Sequence, residues 1–202
     1  MSACKVGVVE DLASLMDRVG WAEHAMESAR KQPRRRVEPA GAKWRGKHAS
    51  FKKMHGLTDE EMQAGDLQGV IAGCRALGIS ERGIEATHLQ LCLQKRSAGF
   101  DIAKQIMVGN VGDNVGYLTF KSRVHPCVLP KRQNLYIVQG TVQMTQSASL
   151  SLALQGLGPR EVKQFGLAEI SYARSLDLAG NAFTSNVVAA ILVNVLQLGL
   201  HL

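Results

Sequence analysis

The chain has 202 residues, 46% of them hydrophobic, and carries a formal net charge of +7 with a sequence pI of about 9.4. This length supports one good core, or one domain with an extension. The positive charge suggests an anionic partner, nucleic acid first, and a mildly basic protein without such a partner is the equal alternative. Because the four cysteines (Cys4, Cys74, Cys92 and Cys127) form no Cys-x-x-Cys pair, a disulfide framework and a structural metal site are excluded and a reducing compartment is expected.

The first 56 residues are predicted to form an N-terminal segment distinct from residues 57–202. Residues 1–29 have helical apolar spacing from Leu12 onward, and acidic residues near their start argue against a signal peptide. Residues 30–53 hold ten of the 24 basic residues and a single acid, Glu38. With prolines at 33 and 39, this stretch is predicted to be an extended, mobile basic linker.

The basic linker has two functional interpretations and one neutral alternative. Its candidate nucleic-acid contacts are Arg34, Arg35, Arg36, Lys43, Arg45 and Lys47. Such side chains would bind phosphates without reading sequence, so affinity would fall steeply as salt rises. The three consecutive arginines also fit a nuclear-import signal. The alternative is a solvated linker without a partner.

Two helices are predicted after the linker. Thr58 and Glu61 have the spacing of a capping box, the apolar positions that follow fit a helical face, and Gly78 is expected to end it. Ser80 is expected to cap a second helix over residues 81–95. His88, on that second helix, is interpreted as half-buried packing, because no other metal ligand is spaced to join it.

The pattern becomes strand-like between about residues 105 and 138. Short strands are predicted at Ile106–Val108, Val115–Phe120 and Leu135–Val138. Pro130 restricts the segment from His125 to an edge or a loop. Cys127, preceded by a proline and flanked by basic residues, could be an activated thiol, but an ordinary loop cysteine is favoured.

The last third of the chain is predicted to be helical. A short helix should end at Gly156, and residues 160–179 should form a polar helix with Phe165, Leu167, Ile170 and Leu176 facing inward. A turn at Gly180–Asn181 should then open a terminal helix. The nearly apolar run from 187 to 200 falls short of the roughly 20 residues that a bilayer requires, so a buried core helix is expected rather than a membrane span.

The order of these features resembles the C-terminal end of the cytosine-5 DNA methyltransferase family. Leu154-Gln155-Gly156 is followed, after a spacer, by Leu178-Ala179-Gly180-Asn181-Ala182-Phe183 and a valine-rich terminal helix. The resemblance covers residues 115–200, with a fainter similarity from about residue 57. It implies an α/β fold in ancestry, helix-rich with a few short strands around residues 105–138.

The resemblance also implies a cofactor and a partner. The turn formed by Gly180, Asn181 and Ala182 would line a pocket for S-adenosylmethionine, with DNA as the substrate and the nucleus as the location. Leu154, Gln155 and Gly156 would support the pocket wall. The terminal helix would pack against a parallel sheet.

The chain departs from the family where the chemistry is done. It contains no Phe-x-Gly-x-Gly loop for the cofactor, no Pro-Cys-Gln nucleophile loop in its first half and no Glu-Asn-Val. A cytosine methyltransferase needs a thiolate and an acid beside a flipped base. We therefore assign no catalytic residue and expect a truncated or degenerate copy that does not methylate DNA unaided. The alternative is a non-enzymatic, basic nucleic-acid-binding or packing module.

Overall fold

The computed structural model describes residues 43–122, 134–145, 147–167, 170–181, 188–189 and 191–193. These residues are rich in helix and include one three-stranded antiparallel sheet, so helix and strand are mixed as expected. The chain divides into two compact units. Of the described residues, 43–122 and 134–145 belong to the first unit, and those from 147 onward belong to the second.

Helices form the first part of unit one. They are α1 (Lys43–Met54), α2 (Asp59–Met62), a 3-10 turn (Gly65–Leu67), α3 (Gln68–Ala76) and α4 (Glu81–Lys95). The central helix is α4, which contacts α1, α2 and α3. Most of its middle is buried, including the polar side chains of Thr87 and Gln90. A helix covered on most sides must bury residues all around its axis.

The prediction of an extended linker through residue 53 is wrong for the part that the structure describes. Lys43–Met54 is a continuous helix with no acidic residue in its first turn. Trp44, His48 and Phe51 recur at helical spacing along it, and His48 and Phe51 are buried. The high density of lysine and arginine hid this apolar spacing. Arg34, Arg35 and Arg36 lie outside the described residues.

Among the described residues, three helices end in the same glycine-based motif, at Gly56, Gly78 and Gly156. After α1, Gly56 has φ 57° and its N–H donates to Lys53 O, while Leu57 N–H donates to Lys52 O at 3.0 Å. Gly78, with φ 65°, repeats this pattern after α3. Glycine adopts positive φ without a steric cost, and the next apolar residue packs back on the helix. The predicted end at Gly78 is confirmed, but the single helix expected between Thr58 and Gly78 is instead divided into α2, the 3-10 turn and α3.

Both predicted helix starts in unit one are confirmed. Thr58 and Glu61 form the reciprocal capping box at α2, and the Ser80 side chain accepts a hydrogen bond from Gly83 N–H at α4. Glu61 has a second role, because its two carboxylate oxygens accept from the guanidinium of Arg96 at 2.7 and 2.8 Å. Arg96 also donates to the carbonyls of His55 and Gly56. It thereby ties the end of α4 to the turn between α1 and α2.

The sheet is an antiparallel meander in the order β1–β2–β3. Its strands are β1 (Ile106–Asn110), β2 (Asn134–Val138) and β3 (Thr141–Thr145). A two-residue turn joins β2 to β3, in which Gln139 and Gly140 have φ 48° and 75°, as a type I′ hairpin turn requires. The predicted strands at 106–108 and 135–138 are confirmed, whereas β3 was expected to begin a helical segment.

The predicted strand at Val115–Phe120 is wrong. These residues form a loop, and backbone pairing with the sheet occurs at the next residue, Lys121, which exchanges two backbone hydrogen bonds with Val108. Val115, Leu118 and Phe120 are buried nonetheless. Side chains of α4 form hydrogen bonds with backbone N–H and C=O groups of this loop, as described below. The apolar residues of this segment therefore indicated burial but not a strand.

The described part of unit two includes the helices α5 (Ala148–Leu154), α6 (Pro159–Gln164) and α7 (Tyr172–Asn181). The end of α5 at Gly156, with φ 84°, confirms the prediction. The single helix expected over 160–179 is instead two, since α6 is followed by Gly166 with φ 65°. Phe165 was expected to face inward but is 61% exposed, because it lies in that break.

The described part of the terminal apolar run also differs from the prediction. Residues 188–189 and 191–193 are helical, but Ile191, Leu192 and Val193 are each more than half exposed. A buried core helix was expected there. In the described part of the chain, no helix combines the length and apolar character needed to cross a bilayer.

Candidate nucleic-acid interface

Helix α1 has one face buried in unit one and another open to solvent. On the buried face, Phe51 joins the hydrophobic cluster, and the ring of His48 lies 4.9 Å from that of Trp44, centroid to centroid. The exposed face carries Lys43, Lys47, Ser50 and Met54. Positions four, seven and eleven residues apart share one face of an α-helix. The helix therefore presents two lysines and a flexible apolar side chain along one line.

The basic side chains of α1 are not equally available. Arg45 forms an ion pair with Glu81 at 3.1 Å, and its guanidinium carbon lies 4.5 Å from the centre of the Trp44 ring. Lys52 forms an ion pair with Asp59. Lys43, Lys47 and Lys53 are exposed and have no ion-pair partner in the part of the chain that the structure describes. Of the three predicted contacts on α1, only the two lysines thus remain free to bind an external anion.

The loop of residues 111–120 lies opposite α1 and is held by α4. Arg82 donates to the carbonyl oxygens of Gly112 and Asp113, at 3.0 and 3.4 Å. Gln90 donates to Val115 O, and Gln94 exchanges two hydrogen bonds with the backbone of Phe120. The three side chains follow one another along α4 at spacings of eight and four residues. They fix the position of a segment that belongs to no helix or strand.

Two adjoining depressions lie between α1 and this loop. The smaller, which we call the cleft, has a volume of about 130 Å³, and the larger, which we call the groove, about 460 Å³. Both are lined by Lys43, Lys47, Asn114 and Val115. Trp44, His48 and Arg82 complete the cleft, while the groove continues past Ser50 to Met54 and Gly116.

The lining of both depressions is cationic. Lys43 and Lys47 contribute to both, and Arg82 adds a guanidinium to the cleft. Among the described residues, no carboxylate lines either depression. The carboxylate of Glu85 lies 3.6 Å from Nδ1 of the lining residue His48 but is not itself part of the lining. An anion could therefore enter without meeting a like charge on the walls.

Apart from Lys43 and Lys47, the residues that line this surface were not predicted as site residues from the sequence. Arg82 and Asn114 are distant in sequence from the basic stretch, and Trp44 was hidden inside it. The apolar spacing of Trp44, His48 and Phe51 is the signal that could have revealed a helix with an exposed lysine face. Nothing in the sequence indicates that Asn114 faces α1.

The predicted cofactor residues in unit two have a different structure from the one expected. Gly180 and Asn181 form the last turn of α7 and not a turn before a helix. Asn181 Nδ2 donates to Asp177 O at 2.9 Å, one turn back. The helix extends this far because Leu176 and Ala179 are buried at helical spacing. Ala182 lies outside the described residues, as does Cys127.

The two segments that carry the family resemblance are in contact. The buried side chain of Gln155 donates to Ala179 O at 2.9 Å. A buried carbonyl without a hydrogen bond is costly, and Gln155 supplies one to this carbonyl. The Leu-Gln-Gly segment therefore supports α7 at Ala179.

The remaining chemical candidates are explained by packing. Cys74 and Cys92 are buried free thiols, and burial raises the pKa of Cys74 to about 12 and that of Cys92 above its usual value. Burial lowers the pKa of His88, whose half-buried position confirms the packing interpretation. No group of His, Cys, Asp and Glu suited to a metal occurs among the described residues. In comparisons with known proteins, no family model and no curated protein matches the chain.

Proposed function

We propose that this chain binds nucleic acid, using the groove and cleft between α1 and the 111–120 loop to hold the phosphate backbone. The observation that carries this proposal is that Lys43 and Lys47 lie on one helical face without ion-pair partners in the described part of the chain, in a depression without a described carboxylate. Phosphate contacts of this kind position a strand but do not read its sequence. A nuclear location is part of this proposal.

Single strands suit this surface better than duplexes. Tyr117 follows Gly116 of the groove wall and is 81% exposed. Exposed aromatic rings beside a basic groove provide stacking platforms for unpaired bases. Met54, 75% exposed at the far end of the groove, adds an adaptable apolar contact. We therefore expect single-stranded DNA or RNA to bind more tightly than duplex of equal length.

The test is a binding titration with the full chain. Fluorescein-labelled 20-nucleotide single-stranded and duplex DNA would be followed by anisotropy between 50 and 200 mM salt. Phosphate binding predicts a linear fall of log affinity with log salt concentration, and a Tyr117→Ala variant should lose affinity for the single strand only. Absence of binding at 50 mM salt would refute the proposal.

As a second candidate, we propose that unit two derives from the cofactor-binding end of a cytosine-5 DNA methyltransferase and retains affinity for S-adenosylmethionine. The hydrogen bond from Gln155 to Ala179 favours this, because it links the two segments on which the family resemblance rests. DNA binding by unit one and cofactor binding by unit two would be compatible in one protein. Methyl transfer by this chain alone is not part of the proposal.

Equilibrium dialysis of the full chain with labelled S-adenosylmethionine tests the second candidate. Retained binding that weakens in Asn181→Ala, but not in the exposed α7 control Arg174→Ala, would support it. No retention above a protein control would refute it. A parallel incubation with cytosine-containing DNA addresses catalysis, since methyl transfer abolished by Cys127→Ser would show that Cys127 is an active nucleophile after all.

A further inference from the structure

We infer that the cleft is a binding site for a phosphate monoester dianion, such as the terminal phosphate of a nucleic-acid strand lying in the groove. The strand-end version deepens the proposed function and rests on it. Binding of a phosphate group to the cleft needs only the cleft itself. Its core is built by Lys43, Trp44, Lys47, His48, Arg82 and Asn114.

The cleft is large enough for a phosphate group. Its volume is about 130 Å³, and a single water molecule needs only about 10–15 Å³ of such space. Four oxygens around one phosphorus therefore fit within it. The adjoining groove of about 460 Å³ can hold the nucleotide attached to that phosphate.

The side chains around the cleft carry more N–H groups than the hydrogen bonds of the protein use. The two terminal guanidinium nitrogens of Arg82 donate one N–H each, to Gly112 O and Asp113 O. A guanidinium has five N–H groups, so three remain for a ligand. Asn114 accepts from Gly116 N–H through its side-chain oxygen, so its amide N–H groups remain available. The two lysines add mobile ammonium groups.

Two buried polar atoms of the lining residues point to a missing acceptor. Trp44 Nε1 and His48 Nδ1 are buried and have no hydrogen-bond partner among the described residues. An indole N–H can only donate, and a buried donor without an acceptor costs about 1–3 kcal/mol. His48 is 3% exposed, and its Nδ1 lies 3.6 Å from the Glu85 carboxylate, so the indole is the donor that lacks an acceptor. Trp44 also lines the cleft, and a turn of its ring towards a phosphate bound there would give the indole N–H that acceptor.

Charge selects a monoester over a diester. A phosphate monoester carries a charge of about −1.5 to −2 at pH 7, and a phosphodiester carries −1. Three cationic side chains line the cleft, namely Lys43, Lys47 and Arg82. The cleft lies beside the N-terminal half of α1, while the groove runs on to Met54. A strand whose end enters the cleft therefore has space for its next nucleotides along the helix.

The test combines NMR of the full chain with binding of matched oligonucleotides. The chain has two tryptophans, so ¹H–¹⁵N spectra show two indole signals, and Trp21→Phe assigns that of Trp44. Inorganic phosphate is titrated first. Ten-nucleotide thymidine oligonucleotides with a 5′-phosphate, a 3′-phosphate or neither follow, with affinity measured by anisotropy.

We expect inorganic phosphate to shift the Trp44 indole signal and one phosphorylated oligonucleotide to bind about tenfold more tightly than the unphosphorylated one, the gain of one charge-assisted hydrogen bond. Trp44→Phe and Lys47→Gln should abolish this preference. Lys53→Gln, a charge change on α1 outside the cleft lining, should preserve it. The Trp44→Phe substitution retains an aromatic ring, and a far-UV spectrum equal to wild type would show that α1 remains folded.

The outcomes separate the two proposals. Equal binding of all three oligonucleotides with an unmoved indole signal would overturn the phosphate site and leave nucleic-acid binding intact. A shifted indole signal with no oligonucleotide binding would support the phosphate site and refute the proposed function. A phosphate preference that survives both cleft variants would also overturn the inference, because another part of the chain would then hold the phosphate.

Discussion

The side-chain amide of Gln94 satisfies both backbone polar groups of Phe120. Gln94 Nε2 donates to Phe120 O at 2.8 Å, and Phe120 N–H donates to Gln94 Oε1 at 3.1 Å. One amide side chain thus makes the pair of hydrogen bonds that a neighbouring strand would otherwise provide. This pairing, with that of Gln90 to Val115, explains how an apolar segment outside the sheet can be buried.

Truncation of Gln94 should destabilise the chain by about 1–3 kcal/mol. In Gln94→Ala, the part-buried N–H and C=O of Phe120 both lose their partner, and unpaired buried groups carry that cost. Gln94→Glu keeps the acceptor and loses the donor, so we expect an intermediate effect. Urea denaturation followed by circular dichroism measures the free energy of unfolding.

The matched control for Gln94 is Gln105→Ala. Gln105 Nε2 donates to Gly99 O at 2.9 Å, but this pair is exposed, so water can replace the lost group and the change should stay within about 0.5 kcal/mol. Equal effects at the two positions would contradict the bridging role of Gln94.

Two glycines of the α1 segment should respond in opposite directions to alanine. Neither Gly46 nor Gly56 has an atom within 4 Å of an added Cβ, but Gly56 has φ 57° whereas Gly46 lies within the helix. Gly46→Ala should stabilise the chain by about 0.5–1 kcal/mol, and Gly56→Ala should destabilise it by about 1–2 kcal/mol. Thermal or urea unfolding measures both. A mobile basic linker would show no effect at either position.

The free energy of unfolding should decrease as the pH is lowered through the range in which Glu61 titrates. Hydrogen bonds from Arg96 lower the pKa of Glu61 from 4.5 to about 2. Between these values the unfolded chain binds more protons than the folded one, so stability is lost as the pH falls from about 4.5 towards 2. Urea midpoints at pH 6 and pH 3 should differ in the wild type.

Removal of either partner should weaken this pH dependence. In Glu61→Gln the titrating group is gone, and in Arg96→Gln its folded pKa should return towards the usual value. Both variants should be less stable at pH 6, with a smaller drop at pH 3. A drop as large as that of the wild type would mean that other carboxylates govern acid unfolding.

The sequence was most informative where one local rule decides the structure. Four helix termini depend on side-chain or backbone constraints that act within a few residues, and all four were predicted correctly. They are the starts at Thr58 (with Glu61) and Ser80 and the ends at Gly78 and Gly156. Gly56 obeys the same rule, and Leu57 after it completes the signal. It was missed because the preceding lysines and arginines were interpreted as a linker.

Where the prediction was wrong, contacts between residues distant in sequence determine the structure. Val115–Phe120 was predicted to be a strand, yet its partners are Gln90 and Gln94 of a helix that precedes it in the chain. Gly180 and Asn181 prefer turns locally, but burial of Leu176 and Ala179 continues α7 through them. The lysines of the groove were singled out from charge alone. Arg82 reaches the cleft, and Asn114 both the cleft and the groove, only through the fold.

The most direct test of nucleic-acid binding compares two double variants of equal charge. Lys43→Gln/Lys47→Gln removes both lysines of the groove, and Lys53→Gln/Lys104→Gln removes two that do not line it. Single-strand affinity is measured across salt concentrations. We predict that the first variant binds more weakly and that its log–log salt slope is shallower by about 1.4, or about 0.7 for each lost phosphate contact, while the second follows the wild type. Equal slopes for the two double variants would contradict the assignment of the groove as the binding surface.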